Sequence, residues 1–301
     1  MKTLNEVSVG FIGLGQMGGN MVEWLQQNNV SMNVMDRDEL AVKRVMDNAP
    51  DNKPAASFST AKELAQKSDV VMLCLTTSEV VESIVYGDNG LLAGMDSGKL
   101  LIDFGTSIPA STRKIGGDMN AIGVSVVDAA IGRTPSHARE GLLNLMVGAA
   151  PDAFLKAEPF LKLLGENVFH LGDLGSGQTA KLINNFMGMT TVCAMSQAFA
   201  VANRAGIDGQ ELFNIMSTGP SSSPFMQFCK NFAVDGVSDL GFSIANANKD
   251  LGYFVELMKD LNTQSPIAEA TSGHLANAVE VGMGQGNVPE IYNLFLINKS
   301  K

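Results

Sequence analysis

The stretch Gly13-Leu14-Gly15-Gln16-Met17-Gly18 follows an apolar run at residues 7–12 and precedes an amphipathic helical pattern. In a Gly-x-Gly-x-x-Gly turn of this kind, Gly13 permits the tight turn, and Gly15 lets the backbone approach a phosphate because it has no Cβ. Gly18 lets the helix pack closely on the strand, and the helix N-terminus faces the anion. Glycine-rich turns also occur for structural reasons alone. The order of strand, turn and helix nevertheless predicts that all six residues line a dinucleotide site.

A carboxylate stands where the ribose of the same dinucleotide is expected. Asp36 follows a second apolar run, residues 30–35, at a distance of about 20 residues from the glycines. It would hydrogen-bond a free 2′-hydroxyl and repel a 2′-phosphate, which favours NAD as the cofactor. Arg37 leaves NADP open, since a guanidinium there could pair with the 2′-phosphate. The alternative interpretation of Arg37 is a solvated loop charge.

Composition excludes several classes of protein. The chain has 301 residues, of which 45% are hydrophobic and 17% charged, enough for two globular domains. Its formal net charge of -10 disfavours nucleic acid and anionic membranes as partners, but local cations could still bind an anionic substrate. The three cysteines have no CxxC spacing, no metal-ligand pattern is present, and the N-terminus has no signal-peptide pattern. We therefore expect no metal, no membrane span and a cytoplasmic location.

Strand and helix patterns alternate over residues 1–172, which predicts a Rossmann domain of the α/β class with a doubly wound, mostly parallel sheet. The expected strands cover residues 7–12, 30–35, 70–75, 100–103, 124–127, 142–147 and 168–171. The expected helices cover residues 17–28, 38–48, 60–66, 78–85, 109–121 and 151–164. Ligands bind such a sheet at the carboxyl ends of its strands. The loops expected at this edge are Thr76-Thr77, Thr106-Ser107 and residues 130–134. Thr76, Thr77 and Thr106 are the residues of these loops that we expect to bind the cofactor.

Residues 173–301 have a different pattern and predict an all-α domain for substrate binding and oligomerisation. Residues 178–205 contain no proline and one glycine, Gly188, which predicts a long helix joining the two domains. Further helices are expected at residues 208–217, 224–234, 242–261, 265–282 and 288–297.

The first turns of the long helix contain Lys181, Asn184 and Asn185. Residues 181 and 185 are four apart, so their side chains share one face of the helix. An ammonium beside an amide suits carbonyl chemistry, because the first can protonate a developing alkoxide while the second holds the oxygen. A surface lysine followed by two asparagines is the alternative interpretation.

Five segments together resemble the β-hydroxyacid dehydrogenase family. They are FIGLGQMG at 11–18, DFGTSIP at 103–109, DAAIGRTPSHAREG at 128–141, GSGQTAKLINN at 175–185 and NKDLG at 248–252. The resemblance implies an NAD(P)-dependent oxidoreductase that interconverts a β-hydroxy acid and its semialdehyde, as a homodimer or homotetramer. It also implies that Lys181 is the general acid/base, Asn185 orients the substrate, Asn184 lies beside it, and Thr106 and Lys249 contact the nicotinamide end of the cofactor.

One departure from the family pattern concerns the substrate. The usual Asp-x-Pro-Val-Ser-Gly-Gly is replaced by a stretch ending in Gly132-Arg133-Thr134, which puts a permanent cation where the acid group is bound. A guanidinium fork suits an anion with several oxygens, and the variant resembles 3-sulfolactaldehyde reductases. We therefore predict that Gly132, Arg133 and Thr134 bind a small anionic, sulfonated semialdehyde or hydroxy acid. Alternatively, Arg133 turns outward or pairs with Glu140.

Three other functions stay open at this point. A carboxylate semialdehyde, of the tartronate or methylmalonate type, would bind at the same arginine. A catalytically silent dinucleotide-binding module is a different class of protein, and Lys181 with Asn185 argues against it. Imine reductases resemble the family with the lysine replaced, so Lys181 argues against them as well.

Overall fold

The computed structural model describes residues 6–51 and 53–296, and the chain forms two compact units, Met1–Lys181 and Leu182–Lys301. The outermost residues of both expected domains, and residue 297 of the last expected helix, lie outside the described residues. The boundary between the units falls within a long helix, after Lys181. The domain boundary expected after residue 172 stays a prediction.

An eight-stranded sheet in the order β3-β2-β1-β4-β5-β6-β7-β8 organises the first unit. The strands are β1 Ser8–Ile12, β2 Ser31–Met35, β3 Ala56–Ser57, β4 Val70–Leu73, β5 Leu100–Asp103, β6 Ser125–Gly132, β7 Leu143–Gly148 and β8 Gly165–His170. All neighbours are parallel except β6 and β7. The order reverses beside β1, which is the place where a doubly wound sheet binds its ligand. The predicted Rossmann fold is confirmed.

Helices cover both faces of this sheet. They are α1 Gln16–Gln27, α2 Glu39–Asp47, α3 Ala61–Gln66, α4 Ser78–Tyr86, α5 Pro109–Ala121, α6 Pro135–Arg139 and α7 Pro151–Leu164, with a 3-10 turn at Leu91–Ala93. Successive strand residues enter separate core clusters: Met72 packs with Phe11 on one face, whereas Val71 packs with Leu101 on the other. Strands buried on both faces explain the continuous apolar runs seen in the sequence.

The expected loop at residues 130–134 is wrong in its first part. Ala130, Ile131 and Gly132 belong to β6, and the turn begins at Arg133. The strand is longer than predicted because it pairs antiparallel with β7 as far as Gly132 opposite Asn144. Two short elements were not predicted, β3 and α6, since two and five residues are too few to show a period.

The second unit is built from helices. Helix α8, Ser176–Ala205, begins in the first unit and continues into the second. It is followed by α9 Gly209–Ser217, α10 Pro224–Asp235, α11 Ile244–Asp260, α12 Pro266–Glu280, a 3-10 turn Val288–Ile291 and α13 Tyr292–Leu296. Gly188, the one internal glycine of the expected helix, makes room for Phe225, whose ring atom lies 2.8 Å from where a Cβ would stand. None of the helices in the described ranges is long and apolar enough to cross a membrane.

Candidate active site

The glycine turn after β1 combines two crowded glycines with one open glycine. Gly13 has φ +100°, and a Cβ there would lie 2.3 Å from the carbonyl oxygen of Cys74. A Cβ on Gly18 would lie 1.9 Å from the carbonyl oxygen of Gly13. Gly15, the N-cap of α1, has nothing within 4 Å of such a Cβ, so the fold itself does not require a glycine there. Open space at the N-terminus of α1 fits a pyrophosphate.

Asp36 lies at the end of β2 and faces the glycine turn. Its Oδ2 accepts a hydrogen bond from the Leu14 N–H at 2.5 Å, and its Oδ1 accepts one from the Asp38 N–H at 2.8 Å. Arg37 is exposed. The cation that contacts the turn is Arg44 of α2, whose Nη2 donates to the Leu14 carbonyl at 3.0 Å. Sequence reasoning missed Arg44, because a helical arginine 30 residues away carries no local signal.

Two further loops follow β4 and β5, the strands next to β1 on the same edge of the sheet. Thr76 is exposed, and Thr77 caps α4 by accepting a hydrogen bond from the Val80 N–H. Thr106 lies in a loop held by Asp103, whose Oδ1 accepts from the Gly105 N–H at 2.9 Å. The topology therefore brings the predicted cofactor residues of the first unit to one edge of the sheet.

The N-terminus of α8 is held by Asp128 of β6, a residue to which the sequence assigned no role. Its carboxylate accepts hydrogen bonds from the N–H groups of Gly175 at 2.6 Å and Gln178 at 2.7 Å. Burial raises the pKa of Asp128 to about 7, and the two N–H donors lower it by a smaller amount. A Cβ on Gly177 would lie 2.6 Å from this carboxylate, so the helix can start here only with a glycine. Asp128 thereby fixes the start of the helix that carries Lys181, which is half-buried.

Arg133 has a left-handed backbone, with φ +77°. Only glycine adopts this region without strain, and the family pattern has glycine at this position. Its Nη1 contacts the Glu166 carboxylate at 2.5 Å and the Leu142 carbonyl at 2.6 Å. The alternative pairing with Glu140 is therefore wrong; the partner comes from β8.

Gly132 and Thr134 flank this arginine. Gly132 is the last residue of β6, and Thr134 lies exposed in the turn. The Thr134 hydroxyl is 2.8 Å from Ser136 Oγ and 2.7 Å from His137 Nδ1. The three predicted substrate residues are thus consecutive at the carboxyl end of β6, and a small hydroxyl–imidazole cluster borders them.

In the second unit, Asp250 of α11 brings two predicted residues together. Asn185 is buried and donates from Nδ2 to Asp250 Oδ2 at 2.6 Å. Lys249 Nζ lies 3.0 Å from Asp250 Oδ1. Asn184 is exposed and donates to Asn185 Oδ1 at 3.3 Å. Asp250 was not predicted as a site residue, although it lies beside Lys249 in the NKDLG segment.

Two further observations bear on cofactor chemistry. Within the described residues, no group of three or more His, Cys, Asp and Glu side chains could hold a metal ion. All three cysteines, Cys74, Cys193 and Cys229, are free thiols. The residues around the glycine turn fit a dinucleotide: an open helix N-terminus for the phosphates and a carboxylate for the ribose.

Comparison with known proteins places the chain in a family. Residues 8–172 match the model for the NAD binding domain of 6-phosphogluconate dehydrogenase. Residues 175–295 match the model for the NAD-binding region of NADP-dependent 3-hydroxyisobutyrate dehydrogenase. The two matches together cover nearly the whole chain, and they support NAD(P) binding.

Individual relatives agree. The chain is 28% identical to 3-sulfolactaldehyde reductase of Escherichia coli over 92% of each chain. It is 30% identical to 3-hydroxyisobutyrate dehydrogenase of Pseudomonas aeruginosa over 86% of this chain and 88% of the relative. The Mycobacterium tuberculosis 3-hydroxyisobutyrate dehydrogenase structure with L-serine has the same fold, with a TM-score of 0.86, 24% identity and coverage of 97% and 99%. The chain therefore belongs to the β-hydroxyacid dehydrogenase family and is an NAD(P)-dependent oxidoreductase that acts on CH–OH groups.

Proposed function

We propose that this enzyme uses NAD(H) to interconvert a short sulfonated β-hydroxy acid and its semialdehyde, of the 3-sulfolactaldehyde type. The observation that carries the substrate assignment is the left-handed backbone of Arg133. An arginine in a backbone conformation suited to glycine costs about 1 kcal/mol or more, and such strain is typical of functional positions. The similarity to 3-sulfolactaldehyde reductase of Escherichia coli supports the same choice.

The contacts of Arg133 leave one edge of its guanidinium for an anion. Both Glu166 and the Leu142 carbonyl contact Nη1. In the described part of the chain, Nε and Nη2 make no hydrogen bond or ion pair. These two groups form the edge of a guanidinium that binds two oxygens side by side. The Glu166 side chain is 51% exposed, so water screens its charge. Glu166 thus orients the fork more than it neutralises it.

The chemistry of the proposal assigns one task to each side chain. A bound nicotinamide supplies or accepts the hydride. Lys181 donates a proton to the oxygen as the alcohol forms and takes it back in the oxidation direction. Asn185 holds that oxygen, and Asp250 fixes the Asn185 amide through the 2.6 Å hydrogen bond. Gly132, Arg133 and Thr134 hold the acid group, and Asn184 lies beside the substrate.

The proposed preference for NAD over NADP rests on Asp36. A carboxylate tied to the Leu14 N–H would face the ribose and repel a 2′-phosphate. Arg44 is not available as a phosphate clamp, because it contacts the Leu14 carbonyl and the Glu23 carboxylate. Arg37 keeps NADP as the alternative cofactor. The remaining proposed cofactor contacts are Gly13, Leu14, Gly15, Gln16, Met17, Gly18, Thr76, Thr77, Thr106 and Lys249.

A homodimer or homotetramer is proposed for the same protein in a cytoplasmic location. Ile183, Met187 and Val201 are 49%, 59% and 59% exposed, and their spacing puts them on one face of α8. A groove of about 350 Å³ in that unit is lined by Thr190, Cys193, Ala194, Gln197, Pro266, Ile267, Ala270, Thr271, His274 and Phe295. Light scattering on the purified protein tests the oligomer.

The proposed cytoplasmic location agrees with the cysteines, because three free thiols fit a reducing compartment.

A matched pair of aldehydes tests the substrate. NADH oxidation is measured with 3-sulfolactaldehyde and with tartronate semialdehyde, and we expect kcat/KM to favour the sulfonate by about tenfold, or 1.4 kcal/mol. A preference for tartronate semialdehyde would overturn the sulfonate assignment and favour a carboxylate substrate. The 30% identity to 3-hydroxyisobutyrate dehydrogenase supports that alternative.

Lys181→Ala tests the proton transfer and should lower kcat by about 100-fold or more. Full turnover in that variant would remove Lys181 from the mechanism.

A further inference from the structure

Gln178 is a buried polar side chain to which the proposed chemistry assigns no task. It lies in the first turn of α8 and is 0% exposed. Its Oε1 accepts a hydrogen bond from the Ser107 N–H at 2.9 Å, and its Nε2 donates to the Gly105 carbonyl at 3.1 Å. These two backbone groups flank Thr106, and they are the pair that a neighbouring parallel strand would use at that residue. The Gln178 side-chain amide therefore makes the two hydrogen bonds that a neighbouring strand would make along this loop.

The main chain of Gln178 is tied to the sheet as well. Its N–H donates to Asp128 of β6 at 2.7 Å. The loop is tied to the neighbouring strand, since Asp103 of β5 accepts from the Gly105 N–H at 2.9 Å. Asp103 and Asp128 are paired residues of adjacent strands. Gln178 thus links two structures that are each anchored on the sheet, the Thr106 loop and the start of α8.

A second buried glutamine of the first unit provides a contrast. Gln26 of α1 is 2% exposed; its Nε2 donates to the Val45 carbonyl at 3.4 Å, and its Oε1 has no hydrogen-bond partner among the described residues. Gln26 fills space in the core, whereas Gln178 uses both ends of its amide on one loop. Satisfying a buried amide at both ends fixes its position, because each lost partner costs about 1–3 kcal/mol.

We propose that Gln178 is a positioning residue, which holds the loop that carries Thr106 in register with the helix that carries Lys181. Lys181 follows Gln178 by three residues, close to one helical turn, and Gln178, Thr106 and Lys181 all belong to the first unit. This inference rests on the proposed function, in which Thr106 contacts the cofactor and Lys181 transfers the proton. A displacement of about 1 Å between such groups can cost on the order of 100-fold in rate.

The first test is Gln178→Leu with Gln26→Leu as its matched control. Both replacements put an apolar side chain at a buried glutamine of the same unit. Gln178→Leu leaves the Gly105 carbonyl and the Ser107 N–H without their partner, and we expect kcat to fall about tenfold or more. Gln26→Leu should leave kcat unchanged. Melting temperatures of both variants separate a loss of stability from a loss of alignment.

The second test is Gln178→Glu, which works only if the donor and the acceptor both matter. A protonated carboxyl can accept from Ser107 and donate to Gly105, whereas an ionised one cannot donate. Burial and the carboxylates of Asp103 and Asp128 raise the pKa of the introduced group. Two cations oppose this: Lys181, and Arg113 of α5, whose Nη1 lies 2.9 Å from where a Cβ on Gly175 would stand. The kcat of Gln178→Glu relative to wild type should therefore be highest near pH 5.5 and fall as the pH rises. Dividing by the wild-type profile removes the titration of groups that lie away from residue 178.

Each outcome decides between the two proposals. Wild-type kcat in Gln178→Leu, or a kcat ratio for Gln178→Glu that rises with pH, overturns the positioning role even if Lys181→Ala is inactive. If Gln178→Leu does not fold, the pH ratio of Gln178→Glu decides alone. If Lys181→Ala retains full turnover, the proposed function fails, and the role of Gln178 fails with it.

Discussion

Two turns at the carboxyl edge of the same sheet adopt the left-handed backbone region for different reasons. The turn after β1 has glycine at φ +100°, and a Cβ on Gly13 would collide with the carbonyl of Cys74. The turn after β6 has arginine at φ +77° and places its side chain against Glu166. In the first turn, the fold itself requires glycine at residue 13. In the second, the residue is arginine although the backbone favours glycine, which fits the proposed contact of Arg133 with the substrate.

The largest expected effect is a loss of stability that distinguishes Gly13 from Gly15 in the first turn. Gly13→Ala puts a Cβ 2.3 Å from a backbone carbonyl at a positive φ, so we expect the protein to lose about 3 kcal/mol or more of stability and to lose NADH binding. Gly15→Ala is the control, because nothing lies within 4 Å of its Cβ. It should weaken NADH binding by about tenfold and leave the melting temperature unchanged. Fluorescence titration and thermal unfolding measure both; unchanged NADH affinity in Gly15→Ala would argue against a phosphate at this helix.

This contrast also explains what the sequence could predict. The glycine turn and Asp36 satisfy requirements that are local or at a fixed spacing, so the pattern alone locates them. The long helix was also predictable, since residues 178–205 contain no proline and one glycine, Gly188. The doubly wound, mostly parallel sheet and the all-helical second unit follow from the alternation of patterns and its loss after residue 172.

Residues joined only by tertiary contacts could not be predicted. Three such contacts are hydrogen bonds between residues far apart in the sequence. The separation is 30 residues for Arg44 and Leu14, 71 for Gln178 and Ser107, and 65 for Asp250 and Asn185. Each lies on a helix whose own pattern shows only that the position is polar. The end of β6 was also missed, because antiparallel pairing with β7 extends the strand through residues that a turn would equally accept.

The next largest effect concerns a third turn, where Asp128 holds the start of α8. There we expect a contribution to stability that depends on pH. Burial raises the pKa of Asp128 to about 7 in the folded protein, above its ordinary value of 3.8. A raised folded-state pKa means that the stabilisation is complete below pH 3.8 and is lost as the pH rises through about 7.

Denaturant unfolding of wild type and Asp128→Asn across this range measures the effect. The advantage of wild type over the variant should be greatest near pH 4 and should shrink towards pH 8. A difference that grows with pH would mean that the N–H donors of Gly175 and Gln178 outweigh burial and keep the carboxylate ionised.

Replacing Arg133 tests the second turn directly. Arg133→Gly restores the residue that the backbone prefers and removes the guanidinium, so KM for the anionic aldehyde should rise about tenfold or more, with a smaller change in kcat. Arg133→Ala removes the same group but keeps the strain of a positive φ. The glycine variant should therefore be the more stable of the two by about 1 kcal/mol, as measured by denaturant unfolding. Unchanged KM in both variants would show that the arginine is not in contact with the substrate.

The smallest expected effect concerns the partner of that arginine. Glu166→Gln keeps an oxygen for Arg133 Nη1 and removes the negative charge, so the orientation is retained while the repulsion of an anionic substrate is lost. Exposed charge pairs contribute about 0.2–1 kcal/mol, which predicts a decrease in KM of about 1.4- to fivefold at low salt and less at high salt.

Glu158→Gln is the matched control for this last change, because it removes a carboxylate that pairs with Lys162 at 2.9 Å on α7. It changes the net charge by the same amount, so any long-range effect of charge appears equally in both variants. KM measured in parallel at two salt concentrations isolates the local contribution of Glu166. A rise in KM in Glu166→Gln alone would mean that the charge of Glu166 is needed to hold the guanidinium, and that the second turn, like the first, is fixed from within the fold.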